Sequence, residues 1–236
     1  MLGIRLPVRH KSRDDAEKPF WISFSDLMSA LMVLFLVAMT VALLAVTHET
    51  SKIEQEKVQR DKEIEQLLKR IREVTKDFPG VAVRGRSVDF GPRALFDTNS
   101  NKLTKEQSQL LRGVVPKVLE IIRDPLGEKW LKRVVVEGFA DQRGTYMHNL
   151  NLSIQRSERV LCVLLVPSAD ATQLTDQDRL LIREHFLVGG SSFNSLKESL
   201  DESRRIELKL EFLDIGEHRS APRDLPLDHD PRCPID

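Results

Sequence analysis

Residues 134–144, VVVEGFADQRG, and residues 149–160, NLNLSIQRSERV, decide the fold of this chain. The run from Lys132 to Gly138 has the apolar character of a buried strand, and the later segment has apolar residues at helical spacing. A strand, a loop and a helix in this order predict an α/β unit, with Asp141 and Arg156 near the same edge of a sheet. Taken alone, that pair could also be a structural salt bridge.

Further strands and helices are predicted on both sides of this stretch. Thr104 and Gln107 have the spacing of a capping box, which predicts the start of a helix. The other segments show either alternating or helical apolar periodicity. The predicted elements are strands at 81–83, 88–90, 186–188 and 205–212 and helices at 104–122 and 173–185. Together they predict a two-layer α/β sandwich over residues 80–213.

A transmembrane helix is predicted near the N-terminus. Residues 27–46 read LMSALMVLFLVAMTVALLAV and contain no charged side chain. At about 1.5 Å per residue this run crosses a hydrocarbon core of roughly 30 Å. A cleaved signal peptide is disfavoured, because its apolar region is usually only about 7–15 residues long. We therefore predict a single span over residues 21–46, with Trp21 at the membrane interface.

The remaining segments complete the predicted organisation of the chain. Residues 1–20 are expected in the cytoplasm, from the distribution of Lys and Arg on the two sides of the span. Residues 47–79 predict a helical stalk whose narrow apolar stripe could pack on a second copy or on the following domain. Residues 214–236 contain Pro222, Pro226, Pro231 and Pro234 and predict an extended tail.

The composition argues against several classes of function. Lys+Arg and Asp+Glu both number 36, so the chain has no net positive charge to attract nucleic acid. The histidines show no ligand spacing, and the only two cysteines, Cys162 and Cys233, are far apart. We expect no metal, no cofactor and no enzymatic activity. The sequence leaves open whether the two cysteines form a disulfide, which an exported domain would permit.

Several motifs in order resemble the OmpA-like peptidoglycan-binding domain. They are G-x-A-D-x-x-G at 138–144, N-x-x-L-S-x-x-R-x-x-x-V at 149–160, Phe96-Asp97-Thr98-Asn99, and Ser203-Arg204-Arg205-Ile206-Glu207. The resemblance implies that Asp141 accepts hydrogen bonds from the ammonium group of diaminopimelate in the peptide stem. It implies that Arg156 forms a bidentate ion pair with a carboxylate of the same ligand, which suits the planar geometry of a guanidinium group. It also implies that Arg204 assists in binding this ligand.

Asp26 lies just inside the predicted span, five residues after Trp21. An ionised carboxylate there costs a few kcal/mol or more unless it is paired, hydrated or protonated, so a role in ion translocation is indicated. A structural role in assembly, or an interfacial and solvated carboxylate, is the alternative. A lone helix has no hydrated path, and partner helices are therefore expected.

This span followed by an OmpA-like domain resembles the B subunits of flagellar stators. SFSDLMSALMVLFLVAM at 23–39 is closer still to the B subunit of the Zorya anti-phage defence system. The resemblance implies two copies of the chain inside a pentamer of a multi-span A subunit in the inner membrane, with the folded domain in the periplasm. Asp26, without further oxygen ligands nearby, favours protons over sodium. A flagellar stator and a passive tether between membrane and wall are the competing hypotheses.

Overall fold

The computed structural model describes residues 14–167, 174–219 and Cys233, with side chains from residue 21 onwards. Most of the predicted cytoplasmic segment, the middle of the segment at 167–185 and most of the predicted tail lie outside the described residues. The chain divides into two compact units, Met1–Glu56 and Lys57–Asp236.

The described part of the first unit is helix α1, which spans Asp14–Thr75 and continues into the second unit. It is the one helix in the described ranges that is long and apolar enough to cross a membrane. Large apolar side chains along it are exposed, among them Leu34 at 68% and Leu44 at 69%. The hydroxyls of Thr40 and Thr47 donate hydrogen bonds to carbonyls one turn earlier, so these polar groups are satisfied within the helix.

The second unit is a five-stranded mixed sheet with helices packed on it. Its strands are β1 (Ala82–Arg84), β2 (Ser87–Asp89), β3 (Leu131–Gly138), β4 (Phe186–Gly190) and β5 (Ile206–Phe212). Its helices are α2 (Lys105–Ile122), α3 (Pro125–Trp130), α4 (Tyr146–Leu165), α5 (Asp176–His185) and α6 (Leu200–Ser203), and a 3-10 turn lies at Gly91–Ala94. Every predicted strand and helix is present. Helices α3 and α6 and the turn were not predicted.

The strand order is β1-β2-β5-β3-β4, and only the β3–β4 pair is parallel. Alternate residues of β3 and β5 are buried, including Val134, Val136 and Leu208. The opposite face carries polar residues, where Arg133 pairs with Glu211 across the two strands at 2.6 Å. One buried and one half-exposed sheet face is the expected pattern of a two-layer arrangement. The predicted fold class is thus confirmed.

The second half of α1 belongs to the core of this unit. Ile64, Leu67, Leu68 and Ile71 are buried in the same apolar cluster as the sheet and α2. The sequence left open whether the apolar stripe of the stalk packs on a second copy or on the domain that follows it in the chain. In the structure the stripe packs on that domain. The compact unit begins at Lys57, inside the predicted stalk.

A disulfide joins Cys162 of α4 to Cys233, whose Cα atoms are 5.5 Å apart. The two residues are separated by 71 positions in the chain. This bond answers the question that the sequence left open.

Candidate functional site

A cavity of about 220 Å³ lies beside the C-terminal end of β3. Asp141, Arg156 and Arg204, which were named from the sequence, all line it. Its other lining residues are Thr98, Asn99, Ala140, Arg143, Gly144, His148, Asn149 and Leu152. The motif at 138–144, the loop near residue 98, the start of α4 and the segment before β5 therefore converge on one site.

Close packing of α4 on the sheet positions the site. A Cβ on Gly138 would lie 2.0 Å from the carbonyl oxygen of Ser153, and one on Gly190 would lie 2.6 Å from the Ser153 hydroxyl. Only glycine allows that approach. Gly144 has a φ of +97° and turns the chain towards α4, which begins with Thr145 as its N-cap.

Asp141 is the most heavily hydrogen-bonded group in the cavity. It is 5% exposed, and its Oδ2 accepts from Arg143 Nη2 at 2.6 Å and from Arg204 Nη1 at 3.0 Å. Its Oδ1 accepts from the Arg143 main-chain N–H at 3.0 Å, and Arg143 Nε lies 3.2 Å from both oxygens. Hydrogen bonding from Arg143, and then from Arg204, lowers the pKa of Asp141 to about 2.

Arg156 is fully buried and binds main-chain carbonyls. Nε donates to Ser100 at 2.9 Å, Nη1 to Phe139 at 2.7 Å and Nη2 to Asp97 at 3.1 Å. Burial, and then the charge of Arg204, lower its pKa to about 10, so the guanidinium stays protonated at neutral pH. In the described part of the chain Asp141 forms its ion pairs with Arg143 and Arg204. The structural salt bridge considered between Asp141 and Arg156 is not formed there.

Arg204 links the acidic group of the cavity to the loop above it. Its Nε donates to the carbonyl of Phe96 at 2.7 Å, and its Nη2 pairs with Asp201 at 2.5 Å. Contacts with Phe96, Asp201 and Asp141 hold the side chain at three points. The residue is 8% exposed. Its position depends on both the loop and α6.

Arg143 was not identified from the sequence as a contributor to the site, whereas Asn99 belongs to the motif quoted from the sequence at 96–99. Arg143 carries the strongest contacts to Asp141, and its Nη2 also donates to the hydroxyl of Thr98 at 3.0 Å. Asn99 has a φ of +54°, and at the rim its Oδ1 accepts a hydrogen bond from His148 Nε2 at 2.7 Å. The D-x-R spacing of Asp141 and Arg143 was the available signal, since an Asp often binds the main-chain N–H two residues later.

The cavity suits a small ligand that carries opposite charges. It combines one carboxylate with three guanidinium groups, and charge-assisted hydrogen bonds to such groups are short and strong. Among the described residues, no group of His, Cys, Asp or Glu could hold a metal ion. The arrangement offers binding and orientation of a charged ligand.

Asp26 lies in the other unit, on the apolar part of α1. Its side chain is exposed, and Trp21 and Phe24 beside it make an edge-to-face contact with ring centroids 6.5 Å apart. The hydroxyl of Ser29 donates to the carbonyl of Ser25 at 2.8 Å. This bond directs the hydroxyl proton of Ser29 to the main chain and not to the Asp26 carboxylate.

The chain is 42% identical over 224 residues to the Zorya protein ZorB of Escherichia coli O139:H28 (strain E24377A / ETEC). That alignment covers 93% of this chain and 91% of ZorB. No protein-family model matches the chain.

Solved structures with a similar domain are more distant. A MotB-like protein from Desulfovibrio vulgaris is 15% identical with a TM-score of 0.43, covering 68% of this chain and 99% of its own. The periplasmic domain of Helicobacter pylori MotB is 12% identical with a TM-score of 0.38, covering 56% and 78%. The peptidoglycan-associated lipoprotein of Burkholderia pseudomallei is 17% identical with a TM-score of 0.34, covering 55% and 91%.

Proposed function

This chain belongs to the family of the Zorya protein ZorB, and from that membership we propose that it is the membrane-anchored, non-enzymatic subunit of an ion-driven stator complex in anti-phage defence. The single observation that carries the proposal is the extent of the similarity. At 93% coverage of this chain, the alignment is too long to omit either the apolar helix or the folded domain.

Ion translocation is assigned to Asp26. Its exposed carboxylate follows Trp21 on a helix whose large side chains are otherwise apolar over residues 27–46. In lipid, such a group requires partners or protonation. We place it against helices of a multi-span A subunit, with two copies of this chain inside a pentamer. Alternation of Asp26 between protonated and ionised states then couples proton flow to rotation.

Attachment to peptidoglycan is assigned to the cavity at Asp141. Asp141 would accept hydrogen bonds from the ammonium group of a diaminopimelate residue, and Arg156 and Arg204 would face its carboxylate. Arg156 is buried, and three of its five N–H groups are engaged by main-chain carbonyls in the described structure, so at most two N–H groups remain to face a ligand in the cavity that it lines. A stator held in this way transmits torque against a fixed wall.

The disulfide supports a periplasmic location for the folded unit. Cys162 and Cys233 are bonded, and such bonds persist in oxidising compartments such as the bacterial periplasm. If the one candidate span in the described residues crosses the inner membrane, a periplasmic domain implies that the N-terminus lies in the cytoplasm. The distribution of Lys and Arg around the span agrees with that orientation.

Phage plaque assays in cells that express the chain with its neighbouring gene products test the proposal. We expect Asp26→Asn to abolish protection although the membrane complex still assembles, because Asn cannot carry a proton. We expect Asp141→Asn to reduce protection and recovery of the chain with sacculi. Asp61→Asn, which removes an exposed carboxylate on α1, is the matched control. Full protection by an intact Asp26→Asn complex would leave a passive tether as the function.

A further inference from the structure

We infer that Arg143 determines the specificity of the cavity: it occupies Asp141 until a ligand with both an ammonium and a carboxylate group exchanges with it. This inference rests on the proposed peptidoglycan-binding function and names a residue to which neither the motifs nor the family resemblance gave a role.

Hydrogen-bond donors already occupy both carboxylate oxygens of Asp141. Oδ1 accepts from the main chain and Nε of Arg143, and Oδ2 accepts from Nε and Nη2 of Arg143 and from Arg204. A carboxylate offers about four lone-pair positions, and five donor contacts already fill them. A ligand ammonium can therefore reach Asp141 only after one of these donors leaves.

The Arg143 side chain is the donor that can leave. Arg204 is held by the Phe96 carbonyl and Asp201 as well as by Asp141, and its side chain is 10% exposed. The Arg143 side chain is 49% exposed, and Thr98 is its other hydrogen-bond partner in the described structure. Its main-chain N–H stays on Oδ1 when the side chain moves, because that bond belongs to the loop.

Displacement of Arg143 favours a ligand with two charges. A ligand with an ammonium group alone would replace one cation on Asp141 by another and leave the Arg143 guanidinium without an anionic partner, with only the Thr98 hydroxyl and water to bind. A carboxylate on the same carbon as the ammonium lies within reach of the displaced guanidinium, so the number of ion pairs increases by one. Such charge-assisted pairs are stronger than neutral hydrogen bonds. Arg143 thereby adds a second guanidinium beside Arg156 for the ligand carboxylate.

Two synthetic tripeptides isolate this carboxylate. L-Ala-γ-D-Glu-meso-diaminopimelate ends in a side chain with an ammonium and a carboxylate, and L-Ala-γ-D-Glu-L-Lys has the ammonium alone. Calorimetric titration of the full chain in detergent gives both dissociation constants. We expect wild type to prefer the diaminopimelate peptide by on the order of tenfold or more, as one charge-assisted interaction implies.

Substitution of Arg143 gives the decisive comparison. We expect Arg143→Gln to remove most of the preference, by weaker binding of the diaminopimelate peptide and tighter binding of the lysine peptide, and Arg143→Lys to retain part of it. Arg133→Gln, at an exposed ion pair on the far face of the sheet, is the matched control and should keep the wild-type ratio. An unchanged ratio in Arg143→Gln overturns the inference. A wild-type chain that binds neither peptide contradicts the proposed function itself and removes the basis of the inference.

Discussion

Gly138 of β3 and Ser153 of α4 lie so close together that a Cβ on Gly138 would be 2.0 Å from the Ser153 carbonyl oxygen. Asp141 follows Gly138 by three residues in the chain, and Arg156 follows Ser153 by three residues on α4. The distance between strand and helix therefore sets the width of the cavity between these two residues.

We expect Gly138→Ala to destabilise the domain by at least about 2 kcal/mol, because overpacking against a main-chain atom forces strand and helix apart. Thermal or chemical unfolding of the full chain measures this. The control is Gly189→Ala, whose Cβ would lie 3.2 Å from the Val135 side chain and 4.0 Å from the nearest main-chain atom, the Val136 carbonyl oxygen. Equal losses in the two variants would contradict the packing argument.

The buried guanidinium of Arg156 donates to three main-chain carbonyls, those of Asp97, Ser100 and Phe139. We expect Arg156→Lys to cost about 3 kcal/mol in unfolding free energy, since one ammonium group cannot reach carbonyls in three directions and unsatisfied buried groups are costly. Arg72→Lys, at an exposed pair with Glu65, provides the comparison and should be nearly neutral. Similar stability of Arg156→Lys and wild type would show that the buried contacts contribute little.

Docking of α1 on the domain depends in part on Glu63. Its Oε2 accepts from Lys129 Nζ at 2.6 Å and from Trp130 Nε1 at 2.5 Å. We expect Glu63→Gln to weaken docking by about 1 kcal/mol through loss of the charge-assisted bond, and hydrogen exchange across residues 60–75 should accelerate. Glu65→Gln, on the exposed side of the same helix, should leave exchange unchanged.

The same contact has a defined pH dependence. Lys129 first, then Gln59 and Trp130, lower the pKa of Glu63 from 4.5 to about 2. Because the folded-state pKa lies below the unfolded value, the contribution is fully present above pH 4.5 and is lost as the pH falls towards 2. Hydrogen exchange of α1 in wild type should accelerate over that window more than in Glu63→Gln. Parallel pH profiles would argue against the assignment.

The disulfide should contribute strongly to stability and should exist in the cell. The chain-entropy model gives roughly 4 kcal/mol for a separation of 71 residues. We expect dithiothreitol to lower the unfolding temperature of wild type and to leave Cys162→Ser unaffected. Alkylation of intact cells before lysis should find no free thiol in wild type. Free thiols under those conditions would contradict the periplasmic location.

Periodic features of the sequence determined how much of the fold could be predicted. The strands and α4 follow from apolar alternation and helical spacing, and α2 from its capping box at Thr104, because burial acts on these patterns directly. Helix α3 was missed, because Pro125 and Gly127 within six residues resemble a turn. The packing of the apolar stripe of α1 could not be assigned, since the same stripe fits a second copy or the domain.

The candidate site was predictable in its residues and less so in its contacts. Asp141, Arg156 and Arg204 line one cavity, as the order of motifs implied. The partners within it depend on side-chain directions and on the path of the loops, which spacing alone does not fix. The ion pairs of Asp141 with Arg143 and Arg204, and the disulfide between Cys162 and Cys233, therefore required the structure.

Asp26 is proposed to carry ions through the assembled complex. Cytoplasmic pH, followed with a fluorescent sensor in cells that co-express the chain and its multi-span partner, tests it most directly under an imposed membrane potential. Wild type should acidify the cytoplasm during phage challenge, Asp26→Glu should retain part of the response, and Asp26→Asn should abolish it with the complex intact. Equal acidification by wild type and Asp26→Asn would contradict the account.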